Sequence, residues 1–161
     1  MFQGIIKLRI KMITLIQRVK SATVETCLGM SKQTIGKIDK GLLLYIGFED
    51  GDDLEKIKWS INKIINLRIF ADKEDKMNLS LADIKGSILA ISNFTLPADL
   101  NESGRRPSFT KSAKPEIAEN LYNQFIDECK KQNIKIEAGK FGAMMDIESV
   151  NDGPVNFVLK K

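Results

Sequence analysis

Apolar residues in this chain recur at two spacings, and the change from one to the other falls at turn-forming residues. Residues 13–19 and 23–26 have the β-branched, alternating character of strands, and residues 31–38 read as a loop leading into another strand. Residues 41–48 form an unbroken apolar run of strand length with glycines at each side. Such a run predicts a strand buried on both faces, hence a central one. Glu49-Asp50-Gly51-Asp52 is a turn, and Asp52 with Glu55 three residues later predicts a capping-box start to a helix. In that helix Leu54, Ile57, Ile61, Ile64 and Ile65 share one face while Glu55, Lys56, Lys58 and Lys63 share the other, the stripe of a helix laid on a sheet. Residues 68–70 read as a short strand, 71–76 as a charged turn and 88–94 as a strand. Residues 97–114 form a long loop with few apolar positions but Arg105, Arg106, Lys111 and Lys114, and loops of that length are usually functional or mobile. Pro115 suits the first turn of a second helix, whose predicted buried stripe is Ile117, Leu121, Phe125 and Cys129. Residues 134–137, 145–150 and 155–159 complete a strand-rich chain with two long helices and neither repeat nor linker.

Composition narrows the class. A chain of 161 residues suits one domain with a real core, and 43% hydrophobic with 29% charged residues is ordinary for a soluble globular protein. The longest apolar runs, such as residues 42–46, are far too short to cross a bilayer, so no membrane association is expected. A net charge of +4 and a pI near 9.0 fit an anionic partner such as a polynucleotide and equally a solvated lysine-rich surface. Cys27 and Cys129 lack paired-motif spacing, which predicts free thiols in a reducing, cytoplasmic compartment. The chain contains no histidine. That excludes Ser-His-Asp and Cys-His catalysis and any imidazole-bound zinc, leaving carboxylates, lysine, main-chain dipoles or a substrate's own groups.

Between the last two predicted strands stands Asn151-Asp152-Gly153-Pro154-Val155-Asn156. Proline cannot donate to a ladder, so a Gly-Pro pair there needs a reason. One reading is a tight turn. The other is a cis peptide that brings bare main-chain carbonyls to a ligand, since X-Pro bonds reach cis cheaply and glycine permits close approach. A second stretch separates the two readings: Ser92-Asn93-Phe94-Thr95-Leu96 followed by Gly104-Arg105-Arg106-Pro107-Ser108-Phe109-Thr110. With Leu15-Ile16-Gln17-Arg18-Val19, Asn66-Leu67-Arg68-Ile69-Phe70 and Gly139-Lys140-Phe141-Gly142-Ala143-Met144-Met145, it closely resembles the D-aminoacyl-tRNA deacylases, with the motifs in the family's order from Met12 to about Leu159. Two positions depart from the family. Its S-Q-x-x-L motif reads Ser-Asn-Phe-Thr-Leu here, and its G-P-x-T motif reads Gly-Pro-Val-Asn. Residues 1–11 precede every matched motif and read as an extension or alternative start ahead of a single domain at 12–161.

The resemblance implies an α+β fold, a compact β-barrel-like sheet flanked by two long helices, in a homodimer with active sites at the interface. It implies hydrolysis of the ester between a D-amino acid and tRNA, and of mischarged glycyl-tRNA, with no metal or organic cofactor. Ser92, Asn93, Phe94 and Thr95 are the candidate catalytic residues. Thr95 lacks a histidine to activate it, so its expected role is positioning, with the Phe94 and Thr95 N–H groups as the oxyanion site and the ribose hydroxyl of the substrate organising water. Gly153 and Pro154 would select chirality by excluding L side chains from the partner's pocket, with Val155 in support. Arg18 is either an outward strand residue or, by resemblance, a brace for the Gly-Pro element. Met144 is either core or a pocket wall with Phe94. Arg105 and Arg106 suit bidentate contact with tRNA phosphates, the alternative being a solvated loop. The rival function is a nucleic-acid-binding module of the same fold that no longer hydrolyses anything.

Overall fold

The computed structural model describes residues 11–29, 31–101 and 104–161. Its sheet is organised on one long strand, β1 (Ile13–Leu28), which carries neighbours on both sides. On one side its first half pairs antiparallel with β3 (Gly41–Gly47), Ile16 opposite Leu44, and its second half with β2 (Ser31–Ile38), Val24 opposite Gly36. On the other side it pairs along its length with β8 (Met145–Lys160). Beyond β3 the sheet continues in parallel through β6 (Ser87–Ser92) to β7 (Lys135–Ala138). A separate hairpin joins β4 (Phe70–Ala71) to β5 (Met77–Leu79).

The sheet curls until β2 comes back over β6 and β7. A Cβ on Gly36 of β2 would lie 3.2 Å from Leu89 Cδ1 of β6 and 3.4 Å from Glu137 Cβ of β7, so the sheet is nearly closed and barrel-like. The interior holds Val19, Ala22, Val24, Ile38, Leu43, Leu89 and Ile91. The opposite face of β3 and β6 presents Leu42, Leu44, Ile46, Ile88 and Ala90 to α1 (Leu54–Asn66) and α2 (Pro115–Lys131). That division explains the unbroken apolar run of β3. Successive side chains point to opposite faces, and here both faces are core. The expected α+β architecture with a barrel-like sheet and two helices is thus observed, and β3 is central as predicted.

Several elements differ from the sequence reading. The two strands expected at 13–19 and 23–26 are one, because a bulge rather than a turn separates them: Val19 faces Asn151 and Ser21 faces Val150, leaving Lys20 extra. The extra residue flips the parity of β1, which lets Val19, Ala22 and Val24 all enter the barrel. Residues 31–38, read as a loop, are β2, whose exposed polar residues are those of a sheet edge protected by charge. The β5 strand was not anticipated. Helix α1 is capped by Asp53, whose Oδ1 accepts from Lys56 N at 2.9 Å, and not by Asp52, which accepts from Glu49 N and pairs with Lys56 Nζ, each at 2.8 Å. In α2, Leu121, Phe125 and Cys129 are buried as predicted, but Ile117 is 42% exposed, and Ala118 and Tyr122 complete the stripe instead. Burial, with Glu128 adding to it, pushes the Cys129 thiol up to about 12.

The strands predicted at 145–150 and 155–159 are a single β8 that runs through residues 151–156. The Gly153-Pro154 peptide bond is cis. Among the described residues no helix is long and apolar enough to cross a membrane. Residues 1–10 lie outside the described residues, and with them nearly all of the proposed extension. Lys11, its last residue, donates its N–H to Glu49 Oε2 at 3.0 Å, and Met12 exchanges main-chain hydrogen bonds with Lys161.

Candidate active site

Strand β6 ends at Ser92 because the next residues stop pairing and fold onto themselves. Asn93 N–H still donates to Ile46 O at 2.8 Å, but the Asn93 side chain then turns forward, its Oδ1 accepting from Thr95 N–H at 3.0 Å and from the Thr95 hydroxyl. This is the self-bonding habit of asparagine at turns. Leu96 N–H closes the turn on Asn93 O at 3.4 Å, and Ala98 N–H bonds Thr95 O at 3.1 Å. Phe94 is pushed outward and left 62% exposed. Its carbonyl accepts from Ser112 Oγ at 2.8 Å, and its ring meets Phe109 with centroids 5.3 Å apart. The turn sits close on the end of β3, where a Cβ on Gly47 would come within 2.7 Å of Pro97 Cδ, 2.9 Å of Leu96 Cβ and 3.0 Å of Asn93 O.

A cavity of about 550 Å³ opens beside this turn. Ser92, Asn93 and Phe94 form one wall, Phe109 and Ser112 of the long loop another, Phe141 and Met144 a third. Met144 is 81% exposed, so it is not core. Of the segment 139–145, residues 141–145 line the cavity, and Gly142 adopts φ +70° there. The segment is fixed to the sheet by Gly139 N–H on Ala90 O at 2.9 Å and by α2, whose buried Tyr122 hydroxyl lies 2.9 Å from the carbonyl oxygens of both Ala90 and Gly139. Burial raises the pKa of that phenol, so it serves as a hydrogen-bond donor.

Among the described residues the walls are apolar apart from Ser92, Asn93, Ser112 and Lys114, of which Lys114 alone is charged. Among the described residues no carboxylate lines the space, and the chain has no imidazole. Among the described residues no group of carboxylates and cysteines is placed to hold a metal ion. The N–H of Thr95, expected as half of an oxyanion site, is already committed to Asn93, whereas that of Phe94 carries no hydrogen bond among the described residues.

The remaining candidates lie in two other places. Opposite Arg18, four residues of β8, 152–155, bulge between Asn151 and Asn156, which face Val19 and Gln17. The Arg18 Nε donates to Asp152 O at 3.0 Å and lies 3.2 Å from Asp152 Oδ2, and Nη1 donates to Ile69 O. The Asn151 Nδ2 donates to Arg18 O at 2.8 Å and its Oδ1 accepts from Asn156 Nδ2 at 3.1 Å, so an amide stands where the family motif has a hydroxyl. Val155 is buried, while Gly153 and Pro154 are exposed at the tip of the bulge. No residue of 151–156 lines the cavity of its own chain. Arg105 and Arg106 stand exposed in the lobe of the long loop, whose base is tied by paired Asp99 and Ser108 main-chain bonds of 2.8 and 2.9 Å.

Residues 15–160 match the model of the family described as D-Tyr-tRNA(Tyr) deacylase. The chain belongs to that deacylase family. A curated relative from Thermosipho africanus, a D-aminoacyl-tRNA deacylase, is 51% identical over 89% of this chain and 93% of its own. Another of the same name, from Exiguobacterium sibiricum, is 47% identical over 91% of this chain and 97% of its own. Among solved structures, the c-Myc DNA unwinding element binding protein superposes with a TM-score of 0.84 at 33% identity, covering 92% of this chain and 98% of that one. A probable eukaryotic D-amino acid tRNA deacylase shares the fold, with a TM-score of 0.79 at 15% identity over 94% of this chain and 100% of that one.

Within this deacylase-family site the sequence reading missed Phe109, Ser112, Lys114 and Phe141. Phe109 and Phe141 are isolated aromatics in otherwise polar, glycine-containing segments, and that contrast was a usable signal. Nothing in the spacing of Ser112 or Lys114 distinguishes them.

Proposed function

We propose that this chain hydrolyses the ester between a D-amino acid and its tRNA, releasing both, in the cavity at the end of β6. The observation that carries this reading is that the turn at the place of the family's S-Q-x-x-L motif lends Ser92, Asn93 and Phe94 to the wall of an apolar cavity and, among the described residues, leaves Phe94 N–H uncommitted beside it. The terminal adenosine and the aminoacyl group lie against Phe94 and Met144. As water adds to the ester carbonyl, negative charge moves to its oxygen and Phe94 N–H receives it. Ser92, Asn93 and Thr95 hold the donor in place. The chain has no imidazole and the described walls hold no carboxylate, so the free hydroxyl of the terminal ribose is assigned to order the attacking water.

Chirality is read by Gly153 and Pro154. Because they do not line the cavity of their own chain, a second copy must bring them, and we assign the enzyme as a homodimer with its active sites at the interface. Their main-chain carbonyls fill the space an L side chain needs; a D side chain points away, and glycine has none to exclude. Glycyl-tRNA is therefore a substrate too. Arg18 braces the bulge and Val155 anchors it. Arg105 and Arg106 hold phosphates of the tRNA acceptor end, and the enzyme works in the cytoplasm.

The likeness to the c-Myc DNA unwinding element binding protein supports a second reading, a nucleic-acid-binding module without turnover. Purified protein incubated with D-tyrosyl-tRNA separates the two. Catalytic release of D-tyrosine supports hydrolysis, whereas binding with no release leaves only the module.

A further inference from the structure

We infer that Lys114 is a substrate-positioning residue, an ammonium at the cavity rim that takes the phosphodiester on the 5′ side of the terminal adenosine. The inference rests on the cavity being where that adenosine binds. Among the described residues Lys114 is the one charged residue in the walls, it is exposed, and it forms no ion pair.

Its place in the fold gives it no local reason to be a lysine. It occupies the N-cap position of α2, where Ser, Thr, Asp and Asn are the residues that help, and its side chain makes no capping hydrogen bond. A cation there also opposes the helix dipole. The helix gains nothing from the charge, and a ligand at the rim does.

The chemistry of the substrate selects the ligand atom. An aminoacyl-adenosine end carries one cation, the α-ammonium, and its nearest anion is the phosphate leading to the terminal nucleotide. Lys114 attracts the phosphate and repels the ammonium. It therefore favours the orientation in which the aminoacyl group goes inward along Phe94 and Met144 and the tRNA chain leaves past α2. The reacting carbonyl is thereby held by contacts at both ends.

The test uses two amide isosteres of D-tyrosyl-adenosine, one with a 5′-phosphate and one with a free 5′-hydroxyl, and compares their Kd values. The native protein is expected to prefer the phosphorylated compound about fivefold, the scale of a partly exposed ion pair, and to lose the preference as salt rises. Lys114→Gln abolishes the preference without weakening the unphosphorylated compound, and Lys114→Arg keeps it. With D-tyrosyl-tRNA, Lys114→Gln raises KM and spares kcat. An equal preference in the native protein and Lys114→Gln overturns the inference and leaves the cavity assignment standing. If Phe94→Ala weakens neither compound, the cavity assignment itself falls, and the role of Lys114 falls with it.

Discussion

Asn93 is one methylene shorter than the glutamine of the family motif, and its amide oxygen takes one of the main-chain donors of the turn. The short amide accepts from the N–H and hydroxyl of Thr95, two residues ahead, and among the described residues Phe94 N–H is left without a hydrogen bond, the donor proposed for a developing oxyanion. Gly47 supports the same arrangement from below, by leaving room for Asn93, Leu96 and Pro97. Gly47→Ala should therefore displace the turn and lower kcat roughly a hundredfold, the cost typical of an ångström-scale misplacement. Thermal unfolding should show the fold retained, so a loss of activity explained wholly by unfolding would contradict the role. The motif residues were legible in the sequence, but the commitment of Thr95 N–H was not, because it depends on an asparagine rotamer that no spacing reports. The cysteines follow burial more simply. Cys27 is exposed, while Cys129 is buried and its thiol pushed up to about 12 from an ordinary 9.0. At pH 8 a thiol reagent should label Cys27 in the native protein and reach Cys129 only after unfolding. The same raised value makes stability fall above pH 9, as the unfolded thiol ionises and the folded one does not. Prompt labelling of both would show that α2 opens readily.

At the scale of elements, burial on two faces wrote β3 and the helices into the sequence plainly, since an unbroken apolar run and a 3.6-residue stripe each have few other solutions. Edges were harder. β2 exposes most of its side chains and so lacks the alternation that identifies a half-buried strand, although Gly36 and Ile38 face the barrel. β8 was split because Gly-Pro usually interrupts a strand, whereas here the interruption is absorbed as a bulge opposite Arg18 while pairing resumes at Asn156. The loop over residues 97–114 was recognised as a loop but not as a contributor of Phe109, Ser112 and Lys114 to the cavity. Its exposed arginines bear a separate prediction. Replacing Arg105 and Arg106 together with alanine should weaken tRNA binding and reduce the slope of log Kd against log salt by about 1 to 2, as two phosphate contacts are lost. Binding measured across a salt series checks this, and an unchanged slope would make the loop a solvated surface.

For the whole molecule, the separation of the cavity from the bulge in β8 is the consequential feature. The cavity end of the barrel carries Ser92, Asn93, Phe94 and Met144, and the bulge in β8 carries Gly153 and Pro154 with their brace at Arg18. In the proposed homodimer one chain would supply an apolar, weakly polarising holder and the other the carbonyls that exclude an L side chain. In that proposal selection acts by rejection alone, with no contact that grips a D side chain. The measurement that tests this most directly is the rate of deacylation of D-tyrosyl-, L-tyrosyl- and glycyl-tRNA by the same protein under the same conditions. Rapid release from the D and glycyl substrates with the L ester left near its spontaneous rate is the predicted result. Comparable rates on the D and L esters would contradict the account.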